Sequence, residues 1–177
     1  MLAPTSSPAM NTSLSAFDAF PLHARTWVYQ SSRTLTDDET ALVGTLANAF
    51  VKDWKAHGQP LMAAADVLFN RFLVIMVDED AAHASGCSID SSVAFIRSLQ
   101  NRLNVDFMER MQLAYISSSN EVTQVHVNQL ETAFALGELT VATTVFNNMV
   151  VSHAELQSKW RIPLAQSWAA NRVEELG

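Results

Sequence analysis

The sequence is poor in cysteine, glycine and charge. One cysteine, Cys87, stands among 177 residues, which excludes an internal disulfide and a cysteine-built zinc site. The glycines are at 44, 58, 86, 137 and 177. No two are five residues apart and none precedes a lysine. The phosphate-wrapping Gly-x-x-x-x-Gly-Lys-Ser/Thr loop is therefore absent, and so is Gly-x-Gly-x-x-Gly. His-x-x-x-His, His-Glu-x-x-His and Gly-x-Ser-x-Gly are absent too, so zincin chemistry and a hydrolase elbow have no support. Charged residues make up only 16%, with 11 Lys+Arg against 18 Asp+Glu and a net charge of −7. That balance argues against a nucleic-acid partner, which needs a basic face. The longest apolar run, Phe72 to Val77, is strand-sized and far short of a membrane helix. The first twenty residues hold no arginine or lysine and no continuous apolar segment, so no secretory signal is expected. With a lone cysteine, the expected compartment is the cytoplasm.

Apolar residues are plentiful at 49%, too many for a disordered chain. The length fits one domain of ordinary size. Residues 1–22 are rich in Ser, Thr, Pro and Ala and read as a loosely ordered leader, with Leu14, Phe17, Phe20 and Leu22 able to dock part of it. Residues 23–177 read as a single domain, with a possible C-terminal subdomain over 110–177. Trp27-Val28-Tyr29-Gln30 predicts a strand. Thr36-Asp37-Asp38-Glu39 is a capping box, followed by Leu42, Val43, Leu46, Phe50 and Trp54 at helical spacing, with Gly58 as the stop. Residues 61–78 predict a hairpin turning at Asn70-Arg71, pairing Phe69 with Phe72 and Val67 with Val74. Its second strand has no polar alternation, so both faces should be covered.

Ser88 to Leu103 predicts a second helix with Ser88 as its N-cap and Ile89, Val93, Ile96, Leu99 and Leu103 as its apolar stripe. Strands are expected near Gln112–Ile116, Glu121–Val127 and Thr143–Phe146. Asn128-Gln129-Leu130-Glu131 and Ser152-His153-Ala154-Glu155 resemble capping boxes, the first helix closing at Gly137. Pro163 fits the first turn of a last helix carrying Leu164 and Trp168. Short strands alternating irregularly with helices predict an α+β fold, a mainly antiparallel sheet packed with four to five helices.

Four segments carry a resemblance: Trp27-Val28-Tyr29-Gln30, Asn70-Arg71-Phe72, Gly86-Cys87-Ser88-Ile89-Asp90 and Val145-Phe146-Asn147-Asn148. With Pro163 and Ser167-Trp168, they make the chain similar to a family of uncharacterised proteins, mostly from Bacteroidetes. Some of these are labelled "ABC transporter ATPase". The resemblance spans about Trp27 to Trp168 and implies no established activity. The ATPase label requires a P-loop, which the glycine positions exclude. A second likeness lies in the last third. Leu130, Gly137-Glu138-Leu139-Thr140, Thr144-Val145-Phe146 and Trp160 are similar to the pattern of a GYF-type domain, a peptide-binding module. That family's aromatic peptide-binding motif is not matched, so no binding residue carries over.

Chemistry is most plausible in the loop from Asp78 to Asp90. A cysteine at a helix N-terminus sees the positive dipole end, which favours thiolate. His83 in the same loop offers a base, making Cys87 and His83 the candidate catalytic pair. Gly86, Ser88 and Asp90 are candidate binding residues through the free amides there. The commoner use of these residues is structural: Cys87 as a small buried hydrophobe, Ser88 as a cap, Gly86 in a turn and Asp90 on the dipole. Asp78, Glu79 and Asp80 with His83 could hold a cation, but they lack EF-hand spacing and read as a solvated loop, so no metal is expected. Asn147 and Asn148 offer adjacent amides to a ligand, or to a turn, which Asn favours. Tryptophans 27, 54, 160 and 168 suit either core packing or recognition.

With no complete catalytic motif, the expected function is non-catalytic binding of a protein or small molecule, without cofactor, nucleic acid or membrane. The alternative is a thiol enzyme or redox sensor using Cys87. Homo-oligomerisation is open.

Overall fold

The computed structural model describes residues 10–173. The first nine residues of the expected leader and residues 174–177 lie outside these. In chain order the elements are β1 (Arg25–Gln30), α1 (Asp37–Asp53), β2 (Lys55–Ala56), β3 (Gln59–Pro60), β4 (Met62–Leu68), β5 (Phe72–Asp78) and α2 (Gly86–Leu103). They continue with β6 (Gln112–Ile116), β7 (Val122–His126), α3 (Leu130–Ala135), β8 (Thr144–Phe146), α4 (His153–Lys159), β9 (Arg161–Pro163) and α5 (Ala170–Val173). The fold is α+β with three antiparallel sheets of short strands and, among the described residues, five helices. One sheet runs β1-β5-β4, a second is the β2-β3 ribbon, and the third runs β7-β6-β8-β9. Among the described residues, no helix is long and apolar enough to cross a membrane.

β5 is the centre. Phe72 to Val77 are all buried, as the lack of polar alternation requires. Leu73, Ile75 and Val77 join a core with α1 and α2 through Val43, Ala47, Ile96 and Leu99. Phe72, Val74 and Met76 join a different core with Phe146, Leu156 and Trp160. The segment before β1 docks there: Phe17, in a single 3-10 turn, is fully buried, and Leu14 and Phe20 pack against the same core. Leu22 is exposed.

The Thr36 box forms as expected. The Glu39 N–H donates to Thr36 Oγ1 (3.2 Å) and the Thr36 N–H donates to Glu39 Oε2 (2.9 Å). α1 nevertheless ends at Asp53. Trp54 turns into extended backbone, and Gly58 (φ 79°) with His57 (φ 51°) makes the tight turn between β2 and β3. Two left-handed residues suit such a ribbon better than a helix cap.

The β4–β5 hairpin also turns one residue earlier than expected. Phe69 (φ 55°) and Asn70 (φ 47°) are the left-handed pair. Leu68 therefore pairs with Phe72, and Val67 with Leu73. A phenylalanine is strained there. Its ring is held against Phe72, Phe146 and Trp160, with centroids 5.2–6.2 Å away.

Three further boundaries move. Ser85, not Ser88, caps α2, its Oγ accepting from the Ser88 N–H (3.2 Å). The short helix α3 follows a 3-10 turn capped by His126 Nδ1, and Gln129 makes no side-chain cap. Pro163 belongs to β9, because β8 pairs with it through Thr144. Leu164 then starts only a 3-10 turn.

Arg33 clamps Glu39 with two bonds of 2.7 and 2.8 Å. These bonds, with the Thr36 N–H, hold the Glu39 carboxyl down at about 2 from its ordinary 4.5. Because the folded value is depressed, the stabilisation is present above about pH 4.5 and lost as pH falls towards about 2. In Glu39→Gln, urea unfolding at about pH 6 and about pH 3 should therefore show a smaller stability difference than in the parent chain.

Candidate functional site

The Asp78–Asp90 loop is ordered by its own side chains. Asp78 Oδ1 accepts from the Asp80 N–H (3.0 Å), and Glu79 Oε1 from the Ala84 N–H (2.8 Å). Cys87 is the second residue of α2 and is exposed. This overturns its expected role as a buried small hydrophobe: with the helix starting at Gly86, position 87 lies in the first turn on the solvent side. His83 is also exposed, and no hydrogen bond joins it to Cys87 among the described residues. Ser88 is buried, and its carbonyl accepts from Trp54 Nε1 (2.9 Å), so it ties α2 to α1. Gly86 and Asp90 are exposed. The acids gather His23 rather than His83: His23, Asp78 and Asp80 place potential ligand atoms within 4.8 Å of one another. His23 Nε2 already lies 2.8 Å from Asp80 Oδ1.

Asn147 and Asn148 divide their work. Asn147 Oδ1 accepts from the Met149 N–H (3.3 Å), a turn contact. Asn148 bonds in two directions: its Nδ2 donates to Gln30 Oε1 (2.8 Å), and its Oδ1 accepts from Trp160 Nε1 (3.0 Å). Gln30 Nε2 donates on to Gln124 Oε1 (3.2 Å), which also accepts from Arg71 Nη1 (2.6 Å). Arg71 Nη2 donates to Thr34 Oγ1 (2.6 Å). Arg71 is 4% exposed, and among the described residues it meets no carboxylate. Its Nε has no partner there. Burial pulls the guanidinium below its ordinary value. The segments Trp27–Gln30, Asn70–Phe72 and Val145–Asn148 thus meet in one network and its adjoining aromatic core.

Beside that network lies a cleft of about 760 Å³. One wall is β1 from Arg25 to Gln30. The rest of the lining includes residues 107–113 and 148–151, with Trp168 and Arg172. Its apolar surface includes Trp27, Tyr29, Met108, Met111, Met149 and Trp168. Burial pushes the Tyr29 phenol up, opposed by the Ser92 hydroxyl and the Arg110 charge. The ionic residues of the lining are Arg25, Arg110, Arg172 and a single acid, Glu109. Arg25 stacks 4.7 Å over the Trp27 ring and stands 3.7 Å from Glu79. Met111, Met149, Val151 and Trp168 are four of the nine large apolar side chains left exposed among the described residues, and all four line this cleft.

No family model, curated protein or solved structure matches this chain.

Of Cys87, His83, Gly86, Ser88, Asp90, Asn147 and Asn148, only Asn148 lines the cleft. Trp27 and Trp168 also reach it, while Trp54 and Trp160 are buried. Arg25, Arg110, Arg172, Met111 and Met149 carry no motif. Their only sequence signal is Arg110-Met111 between a helix and a strand, a weak one. The network itself makes a clear demand. Gln124→Ala removes an acceptor of the buried Arg71 and should cost about 2 kcal/mol, measured by urea unfolding.

Proposed function

We propose that this chain is a binding protein without catalytic chemistry of its own, with its ligand in the cleft along β1. The carrying observation is the gathering of exposed apolar side chains and three arginines around one cavity in a chain of net charge −7. Pockets of this size, mostly apolar with a few placed polar groups, are the usual form of a ligand site. Exposed apolar patches on a folded chain also mark binding surfaces. The free Cys87 fits a reducing compartment such as the cytoplasm. An anionic aromatic dye, anilinonaphthalene sulfonate, should bind the native protein saturably, with energy transfer from Trp27 and Trp168. Met149→Glu should weaken it about tenfold with unchanged circular dichroism. Absence of saturable binding, or equal binding in the variant, sinks this reading.

The exposure of Cys87 favours a second reading, a thiol enzyme or redox sensor. It requires Cys87 to react with dithiobis(nitrobenzoate) in the native state faster than glutathione does under the same conditions. Equal or slower reaction removes it.

A further inference from the structure

The cleft wall formed by β1 is a sheet edge with a gap in it. The pairing of β1 with β5 fixes which main-chain groups face which way. Ser31 donates to the Arg71 carbonyl, in register with the Arg25↔Val77 to Gln30↔Phe72 pairs. The odd-numbered residues of β1 therefore bond β5, and Thr26, Val28 and Gln30 present N–H and C=O to the other side, into the cleft. Both ends of this edge are covered. The Thr26 N–H donates to the Val151 carbonyl (3.0 Å), and the Ser32 N–H donates to the Asp106 carbonyl (2.7 Å). Between them, the main chain of Val28 and Gln30 has no partner on that side among the described residues. Natural folds normally cover or blunt such an edge. Here the covering segments part over β1, and the opening is the cleft.

We propose, resting on the binding reading above, that the ligand is an extended acidic and apolar peptide segment that adds to the β1 edge. Three observations specify it. The unpaired N–H and C=O of Val28 match the main chain of a strand, which supplies affinity in strand addition, while alternate side chains supply selectivity. Met108, Met111, Met149 and Trp168 offer adaptable apolar contacts for one set of those side chains. Arg110 and Arg172, which have no acidic partner among the described residues, favour carboxylates in the rest and set this wall against the negative charge of the whole chain. A saturated carboxylate amphiphile would answer the apolar surface and the arginines, but it leaves the Val28 groups unpaired.

The test uses the full chain and a fluorescein-labelled peptide of alternating leucine and glutamate, followed by anisotropy. Two further peptides carry N-methyl groups on one or the other alternate set of backbone amides. A fourth has lysine for glutamate, and laurate is the competitor. Binding of the acidic peptide is expected, weakened about tenfold by methylation of one amide set and not of the other, because a single edge is used. The lysine peptide should bind about tenfold more weakly than the acidic one, and Arg110→Glu, with unchanged circular dichroism, should narrow or reverse that preference. Equal binding of both methylated peptides overturns edge pairing. Saturable laurate binding without peptide binding also overturns the proposal, and leaves the binding reading in place. Failure of peptide, laurate and the anionic dye together takes that reading down as well.

Discussion

The burial of β5 on both faces is the constraint on which the other layers depend. A strand whose six consecutive side chains are all apolar cannot leave either face to water without exposing surface worth roughly 1.5–3 kcal/mol per side chain. The odd face takes α1 and α2, which the capping box and the apolar stripe make ready as amphipathic helices. The even face needs a different cover. It obtains one from Phe146 of β8, Leu156 of α4 and Trp160, with Phe17 from the Ser15–Phe17 turn joining them. The third sheet, α4 and the Ser15–Phe17 turn are therefore brought to the first sheet by one strand. Covering the even face also leaves β1 as an edge that the third sheet approaches without pairing to it. The cleft is a geometric consequence of that near miss.

Polar groups trapped in the same seam have to be satisfied there. Arg71 sits at the start of β5, where the chain leaves the tight Phe69-Asn70 turn, and it is buried as the two sheets close. A buried cation without a carboxylate is costly unless neutral oxygens surround it. Thr34, Gln124 and the Ser31 carbonyl do so. Gln124 is then linked through Gln30 and Asn148 to Trp160, so the line of bonds crosses from β7 to β1 to the segment after β8. The Gln30–Asn148 bond ties β1 to the segment after β8, and both residues line the cleft. Fold and candidate site share their polar framework.

Much of the fold was legible because local chemistry and tertiary demand agree. The Thr36 box, the β5 run and the Ser152 cap each have a nearby physical cause that survives packing. The failures lie where a distant contact decides. The hairpin shifted by one residue because the rings of Phe72, Phe146 and Trp160 hold Phe69 in a conformation that Asn alone would prefer. Pro163 became a strand because β8 needed a partner. The α2 cap moved from Ser88 to Ser85 because both serines satisfy the local rule and only the packed position of Trp54 against Ser88 separates them. The site was less legible still. Cys87, His83 and the acids attracted attention because they are reactive types close in sequence. The cleft is built from arginines and methionines at residues 25, 110, 111, 149 and 172, which no spacing relates.

That contrast bears on how charge should be read in this chain. The net −7 is a property of the whole chain, and it argues against a long basic track for nucleic acid. It says nothing about a local field inside a cleft whose walls are low in dielectric and whose charges are three arginines to one glutamate. Such a pocket focuses positive potential, while the acidic exterior repels anions elsewhere. On the proposal above, an acidic segment would be favoured in this cleft, where its carboxylates meet Arg110 and Arg172, and a basic segment would be disfavoured there. An acidic exterior around a basic cleft is the charge arrangement that an acidic ligand at the β1 edge would require, so the composition and that proposal are consistent.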